Sequence, residues 1–578
     1  MPSHSTPRER ASADPVRLLA VLVALSLAGC ASDKPIQKAG AKRASEARRD
    51  AKGDPNSKDK PRLFVGPRFV TLDPELPEAA AIGVDGDGRI TKLFVEVPPD
   101  DGAFERVTLP GVLAVPGLHD AHAHLLGIGE ARESVDLLGA VSTDDLRARV
   151  QAFLAAHPEV PFVRGRGWDQ SRFPQRRFPT AKDLEGLTDK PIFLERVDGH
   201  AVVVSRALLD KAGIGKDTED PAGGKIVRDA QGEPTGVLVD NAIDLASTVL
   251  PAPTLADLER WLSTGMEACA DAGLVAVHDM GVPVRALEAL HKLDQEGRVP
   301  IRVFVYLDGS DPAALDATAR YAFSERVEVK GIKLFADGAM GSRGAALLEP
   351  YSDDAGNEGL LLTEPKILEE RVRQAHQRGL QAAIHAIGDR GNRVALEAIA
   401  GAEGGDRSVR HRIEHAQLVH PDDFAGFHKL GVIASMQPTH ATSDMRWASA
   451  RVGDARLVGA YAWKRMLISG VPLAFGSDAP VESERPSWGL YAALTRQDHE
   501  QQPEGGWRPE ERLSLTEALA AFSQGAAFAV GREGDLGRLS EGMRFDVSAF
   551  DRDARADPKE WLRAEATATI IGGSLRAP

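Results

Sequence analysis

The feature that most limits how this chain can fold is an alternation through its long middle. Short apolar runs of β character, most of them ending in a polar residue, are separated by helical patterns. Eight such runs stand at residues 112–121, 274–279, 301–307, 331–335, 381–385, 412–415, 432–436 and 473–478. Strands that alternate with helices return by crossovers, and crossovers build parallel sheets. Eight in series predict an α/β fold, a (β/α)8 TIM barrel. Residues 365–378 and 456–469 are two of the helical stretches, and Ser514-Leu515-Thr516-Glu517 is a capping box that opens another. The interval from about 126 to 266 is too long for one crossover. It predicts an inserted subdomain with β features near residues 162–166 and 192–197.

The flanks have a different texture. Residues 63–115 carry short β-like runs (RLFVGPRFVTLD, AAIGVDGDGRI, TKLFVEV), and Asp85-Gly86-Asp87-Gly88 is a hairpin signal. The pattern returns in residues 531–578 as GDLGRLSEGMRFDVSAFDRD and ATATIIGGSLRAP. We expect a small β-sandwich assembled from both ends around a barrel spanning 116–530. Two unrelated β caps are the alternative.

A barrel of this kind keeps its chemistry at the C-terminal ends of its strands. The stretch PGLHDAHAHL, residues 116–125, closes the first run with His122 and His124. Residues i and i+2 of a strand face the same side, so both imidazoles can reach one metal ion. His385 closes the fifth run, His415 the sixth and Asp478 the eighth, while Lys333 lies within the fourth. Singly, each has a packing explanation: a core histidine bonded to a carbonyl, or an aspartate capping the next helix. Together they read as a site for a divalent metal, with zinc expected and either one or two ions.

The net charge of −15 is spread along the chain and aromatics make up 5% of it, which argues against nucleic acid as the main partner and otherwise speaks to solubility; a small-molecule substrate is the expected partner. Of the two cysteines, Cys269 sits in the helical pattern LERWLSTGMEACADAG and reads as a buried small hydrophobe. Cys30 ends RLLAVLVALSLAGC, downstream of Arg8, Arg10 and Arg17. About 11 apolar residues are too few to cross a hydrocarbon layer of ~30 Å, so the segment reads as an export signal. Leu27-Ala28-Gly29-Cys30 resembles the bacterial lipobox. Residues 1–29 are then a lipoprotein signal peptide, Cys30 is lipidated and holds the protein to a membrane, and residues 30–62 form a disordered tether. Ala31, in place of Asp, points to the outer membrane, so the expected location is the cell envelope, lipid-anchored and facing the periplasm. An ordinary signal peptide with a chance cysteine is the alternative.

The segments PGLHDAHAHL, GIKLFADGAMGSR, HAIGDRGN, RHRIEHAQL, SMQPTH and FGSDAPVE resemble, in order, the motif series of the amidohydrolase superfamily. More narrowly they are similar to amidohydrolase family 3, which includes N-substituted formamide deformylase-like enzymes. The resemblance runs from about residue 63 to 574 and implies a metal-bearing barrel with a β-sandwich from the two flanks. It implies that His122 and His124 are the first metal pair, that His385 and His415 are later metal or substrate ligands, and that Asp478 is a metal ligand and general base. Lys333 corresponds to the carboxylated lysine that bridges two metals in some relatives. A buried ammonium loses its proton readily, and the neutral amine takes up CO2. The alternative for Lys333 is an ion pair with a carboxylate such as Asp337.

Two departures stand out. His119 occupies a position usually aliphatic and should face away from His122, and Gly391 stands where Ala is common. Arg196, Asp198 and His200 match an RxDxH stretch of the family, although Ser205 replaces its usual Asn. Trp168 matches a family element that would wall the pocket, with a place in the core the alternative, and His200, Gln437 and His440 are candidate substrate contacts. The implied activity is hydrolysis of a non-peptide carbon–nitrogen bond, of amide or formamide type, by metal-activated water with Asp478 as base. Deamination within the same superfamily and a surface-tethered binding lipoprotein with a structural metal are the alternatives. A serine hydrolase lacks its GxSxG elbow here.

Overall fold

The structure is a computed structural model that describes residues 60–404 and 406–576. The expected signal peptide at 1–29, Cys30 and all but the end of the expected tether at 30–62 lie outside the described residues. The tether's last residue, Arg62, already opens a strand, Arg62–Val70.

Eight parallel strands form the barrel: Leu118–Ala123, Leu274–Val282, Arg302–Asp308, Val327–Phe335, Gln381–Ala386, Arg412–His415, Ile433–Met436 and Leu473–Phe475. They pair in chain order. Most are buried along their whole length, as expected of strands covered on both faces. Between the eighth and first strands, the Asp478 N–H donates to the His122 carbonyl at 2.7 Å. The Asp120 carboxylate there accepts the Ser477 N–H at 2.9 Å and the Ser477 hydroxyl. A side chain thus supplies part of the ladder that joins the barrel's two ends. The expected TIM barrel is the observed fold.

The first expected strand, 112–121, is two strands in two sheets. Leu113–Pro116 belongs to a terminal sheet and Leu118–Ala123 to the barrel, with Gly117 between them. A Cβ at Gly117 would lie 2.5 Å from Val275 Cγ2, so the chain passes here only without a side chain. The expected helix at 456–469 is shorter too. A 3-10 turn, Leu457–Gly459, is followed by Trp463–Ile468, and Tyr461 between them has φ of 50°. The helices Pro365–Gln377 and Leu515–Ala520 begin where expected, the latter with the Ser514–Glu517 capping box formed.

Both ends of the described chain build one sheet. Its order is Ser574–Arg576, Ala566–Ile571, Val547–Phe550, Leu113–Pro116, Arg62–Val70, Glu78–Val84 and Ile90–Phe94, with Glu105–Thr108 also on Arg62–Val70. The sandwich expected from both flanks is therefore a single hydrogen-bonded sheet around a core that includes Phe64, Phe69, Phe545 and Ile570. In the hairpin at 85–88, Asp85 Oδ1 accepts the N–H groups of Asp87 and Arg89 at 3.0 and 2.8 Å. Arg62 Nη1 donates to the Gly573 carbonyl at 2.7 Å, so the two ends meet. The sheet faces the N-terminal ends of the barrel strands: Arg302 pairs with Asp546 at 2.8 Å, and the Ser548 hydroxyl donates to the Gly273 carbonyl at 2.7 Å.

The insertion lies between Ala131 and Leu255 and is shorter than expected. Its six-stranded sheet runs Gly224–Arg228, Pro234–Asp240, Ala201–Val204, Ile192–Arg196, Val163–Trp168 and Val135–Asp136. The helix Leu255–Asp271, capped by Thr254 and Asp257, crosses Leu125–Ala131 so closely that a Cβ at Gly265 would lie 2.2 Å from the Leu125 carbonyl. Cys269 on that helix is fully buried, and burial pushes its thiol well up, as a packed hydrophobe requires. No helix among the described residues is long and apolar enough to cross a membrane.

Candidate metal centre

The strand ends converge. His122 is fully buried, and its Nδ1–H donates to Glu414 Oε2 at 2.6 Å. His124 Nδ1–H donates to the Met280 carbonyl at 2.8 Å, and His415 Nδ1–H donates to Gln437 Oε1 at 2.9 Å. These partners assign the tautomers and leave each Nε2 as a lone pair. The Nε2 atoms of His124 and His122 lie 3.0 and 3.4 Å from Asp478 Oδ1. A lone pair and a carboxylate oxygen are both acceptors, and only a cation or a proton between them satisfies both. His440 Nε2, 3.6 Å from Asp478 Oδ2, has no hydrogen-bond partner among the described residues. The donor set fits a divalent ion.

Two ligand groups share Asp478. His122, His124 and Asp478 form one and His415, His440 and Asp478 the other, with the ligand atoms in each within 4.8 Å of one another. His440, expected as a substrate contact, thus joins the candidate ligands. His385 falls in neither group. Its Nε2 is 3.4 Å from the Gly338 carbonyl and 3.8 Å from Asp337, and its ring lies between His415 and His200, at 4.6 and 4.9 Å. His415 and Asp478 both hold a left-handed backbone, with φ of 71° and 62°. Non-glycine residues adopt it only where their surroundings impose it, often at functional sites.

Burial decides the protonation states. It pushes His122 down to about 4, with the charge of Lys333 adding to the effect, and it holds His385 and His415 well below the usual imidazole value. All three are neutral near pH 7, the form that binds metal. Burial raises Asp478, and the facing imidazoles of His122, His124 and His415 hold it well below the carboxylate range wherever they carry positive charge, so this carboxylate is built to face a cation. Burial lowers the Lys333 amine to about 8, and Glu414 and Asp478 offset part of that. Lys333 Nζ lies 3.4 Å from His122 Nε2. Asp337 is not its partner, for its oxygens accept the N–H groups of Ile387, Gly388 and Ala346 at 2.8–2.9 Å.

Beneath the ligands lies a layer that the sequence reading missed. Arg412 Nε donates to Glu414 Oε1 at 2.5 Å, and Arg412 also reaches the Ala121 carbonyl and Ser435 Oγ at 2.6 Å each. Arg412 and Glu414 are i and i+2 in one short strand, an opposite-charge pair aimed into the barrel. That spacing in RIEH was the available signal.

Above the ligands opens a cavity of about 380 Å³ between barrel and insertion, with His200, Phe335, Met340, Asp444 and Trp447 among its walls. Trp168 does not line it. Its indole is fully buried in the core of the insertion and donates to the Leu194 carbonyl at 2.8 Å, while its neighbours Gly167 and Asp169 reach the cavity. Gln437 stands behind His415 rather than on the wall. His200 does line the cavity, and its Nδ1–H donates to Asp240 Oδ1 at 2.7 Å. Arg196 pairs with Asp169 at 3.1 Å and with Asp198, which fixes the RxDxH stretch. Ser205 accepts the Ile192 N–H inside the insertion and makes no cavity contact.

Both departures have structural reasons. The His119 ring, buried away from the cavity, stacks on Phe304 at 6.2 Å. At Gly391 a Cβ would sit 2.3 Å from Asp337 Oδ2, so alanine does not fit this backbone.

Comparison with known proteins agrees with this geometry. The family described as amidohydrolase matches residues 107–576. YtcJ of Bacillus subtilis (strain 168) is 32% identical over 487 residues, covering 82% of this chain and 90% of that protein. The N-substituted formamide deformylase of Arthrobacter pascens is 26% identical over 540 residues, covering 89% and 98%. The crystal structure of an uncharacterized metal-dependent hydrolase from Pyrococcus horikoshii OT3 superposes with a TM-score of 0.69 at 28% identity, covering 86% of this chain and 99% of that one. With its motifs on a nearly closed barrel and its candidate ligands at the strand ends, the chain belongs to the amidohydrolase family.

Proposed function

We propose that this protein is a metal-dependent hydrolase that opens a non-peptide carbon–nitrogen bond of amide or formamide type. The observation that carries the reading is the convergence of neutral imidazole lone pairs on one carboxylate, Asp478, at the floor of an open cavity. His122, His124, His415, His440 and Asp478 would hold one or two divalent ions, with zinc the best match to imidazole and carboxylate donors. Lys333, carboxylated on its neutral amine, would add an oxygen ligand beside His122. An ion in this site supplies Lewis acidity, making water acidic near neutral pH and polarising an amide carbonyl.

The chain's own groups manage the protons. Asp478 takes one proton from the attacking water as the carbon–oxygen bond forms. It then returns that proton to the departing nitrogen as the carbon–nitrogen bond breaks. Burial lowers His200 but its bond to Asp240 more than offsets that, so His200 would act as an imidazolium, with Nδ1–H held by Asp240 and Nε2–H donating to the carbonyl oxygen as charge develops there. Glu414, itself neutralised by Arg412, keeps the His122 lone pair pointed at the site. The name of the Arthrobacter relative supports formamides as first substrates to try. Deamination is separated from this reading by its product, ammonia rather than a substituted amine and an acid.

The test is metal analysis of the purified protein together with a panel of N-formyl, N-acyl and cyclic amides. We expect hydrolysis that a chelator abolishes and added zinc restores. Chelator-insensitive turnover would sink the reading. We further propose that Cys30 is lipidated and that the protein is anchored in the cell envelope. Mass spectrometry of the mature N-terminus tests that separately.

A further inference from the structure

The cavity holds a carboxylate that the reaction above does not use. Asp444 ends the helix Pro438–Asp444 and lines the cavity. One of its oxygens, Oδ2, accepts two neutral donors, Gln417 Nε2 at 2.5 Å and the Tyr461 hydroxyl at 2.7 Å. The other, Oδ1, accepts no hydrogen bond, and Asp444 forms no ion pair, among the described residues. The anchor is rigid. The Tyr461 N–H donates to the Gln417 carbonyl, its own carbonyl accepts Arg496 Nη1 at 2.9 Å, and its ring meets Trp507 edge-on.

Position follows from the helix. Asp444 is four residues beyond His440, on the same face and about 5–6 Å along it. Oδ1 therefore stands about one helical turn from the candidate ligands, beside the reacting centre rather than in it. The charged groups nearby are Glu482, His440 and Arg196, and Arg196 is already held by Asp169 and Asp198. Arg446, two residues on, also lines the cavity, but it is exposed and donates through Nε to the Ser443 carbonyl. Burial, with Glu482 adding to it, pushes the Asp444 carboxyl up to about 7, as expected of an acid that lacks a cation. Asp444 is half-buried; a carboxylate partly withdrawn from water without a counter-charge is held at a cost, and a cation delivered by the substrate lessens it.

We propose that Asp444 is a specificity residue that receives a cationic nitrogen, an ammonium or amidinium, carried by the substrate a few bonds from the scissile amide. The substrate class is thus cationic amides such as mono-acylated diamines. This rests on the amide-hydrolase reading, and the test keeps the two apart.

The metal-loaded wild type is assayed with N-formyl-1,4-diaminobutane and with N-formylpentylamine, in which methyl replaces ammonium. We expect kcat/KM about 10- to 100-fold higher for the ammonium compound, carried by KM, which is the range of one charge-assisted hydrogen bond. Asp444→Asn should erase the preference while leaving the neutral substrate within about twofold. Equal rates on the two substrates in the wild type, or an equal loss on both in Asp444→Asn, overturn the proposal. If neither compound is hydrolysed, the hydrolase reading fails for formamides and binding decides. Calorimetric affinity for 1,4-diaminobutane about tenfold weaker in Asp444→Asn supports the role of Asp444, and equal affinity overturns it.

Discussion

Glu414→Gln tests the support beneath the metal centre. Glu414 faces two demands: Arg412 donates to it from Nε and Nη2, and His122 donates from Nδ1. Glutamine has the same shape but one acceptor oxygen. The guanidinium can only donate, so the amide oxygen turns to Arg412 and the NH2 turns to His122. His122 Nδ1 must then accept, its proton moves to Nε2, and the lone pair meant for the metal is lost. Changing a group that orients a ligand histidine typically costs about 10- to 100-fold in metal affinity. The buried guanidinium also loses its counter-charge, a class of change that costs about 3–5 kcal/mol. Arg412 keeps its bonds to Ala121 and Ser435, which places this case near the lower figure. At ~2 cal/mol/K per residue over roughly 500 residues, 3 kcal/mol lowers the melting midpoint of the metal-free protein by only about 3 °C. The assay is competition with a chromophoric chelator, paired with a melt of the stripped protein. Metal affinity within twofold of wild type would refute the tautomer argument, whatever the melt showed.

Other perturbations separate the remaining roles. Asp478→Asn should cut turnover by about 10²–10⁴-fold with metal retained by the imidazoles, whereas His122→Ala should lose metal and activity together, by elemental analysis and assay. Gly391→Ala forces a methyl against Asp337 and should destabilise the protein by about 1–3 kcal/mol, read as a lower denaturation midpoint; an unchanged midpoint would mean the backbone yields freely. Carboxylation of Lys333 needs the neutral amine, which dominates above about 8. With 13C-bicarbonate, a carbamate resonance should therefore grow from about pH 7 to pH 9 and vanish in Lys333→Met, and its absence at the higher pH would exclude the modification.

What the sequence revealed and what it hid follow from how each signal arises. The barrel was legible because eight apolar runs alternate with helices, and the candidate ligand groups because His122, His124, His415 and Asp478 interrupt those runs at their ends. The split at Gly117 was hidden because residues 112–121 read as one run; the switch between sheets is made by contacts with Val275 and Asp546, distant in the chain. Trp168 could be read as pocket wall or core because a strand has two faces. Which one meets the cavity depends on its neighbours in the insertion, and here the backbone turns Gly167 and Asp169 outward instead. His385 matched the pattern of a ligand, and its Nε2 lies 3.4 Å from the Gly338 carbonyl, outside both candidate groups. Asp444 could not be singled out, since its anchors, Gln417 and Tyr461, come from other elements of the barrel.

The meeting of Arg62 with Gly573 has a practical consequence. Both ends of the folded chain emerge from the sheet beneath the barrel, at the pole opposite the ligand-bearing strand ends. A bead or a fusion partner attached directly at either end of the described residues would grip the protein by its base. The entrance would stay turned towards the surroundings, free to receive whatever diffuses past.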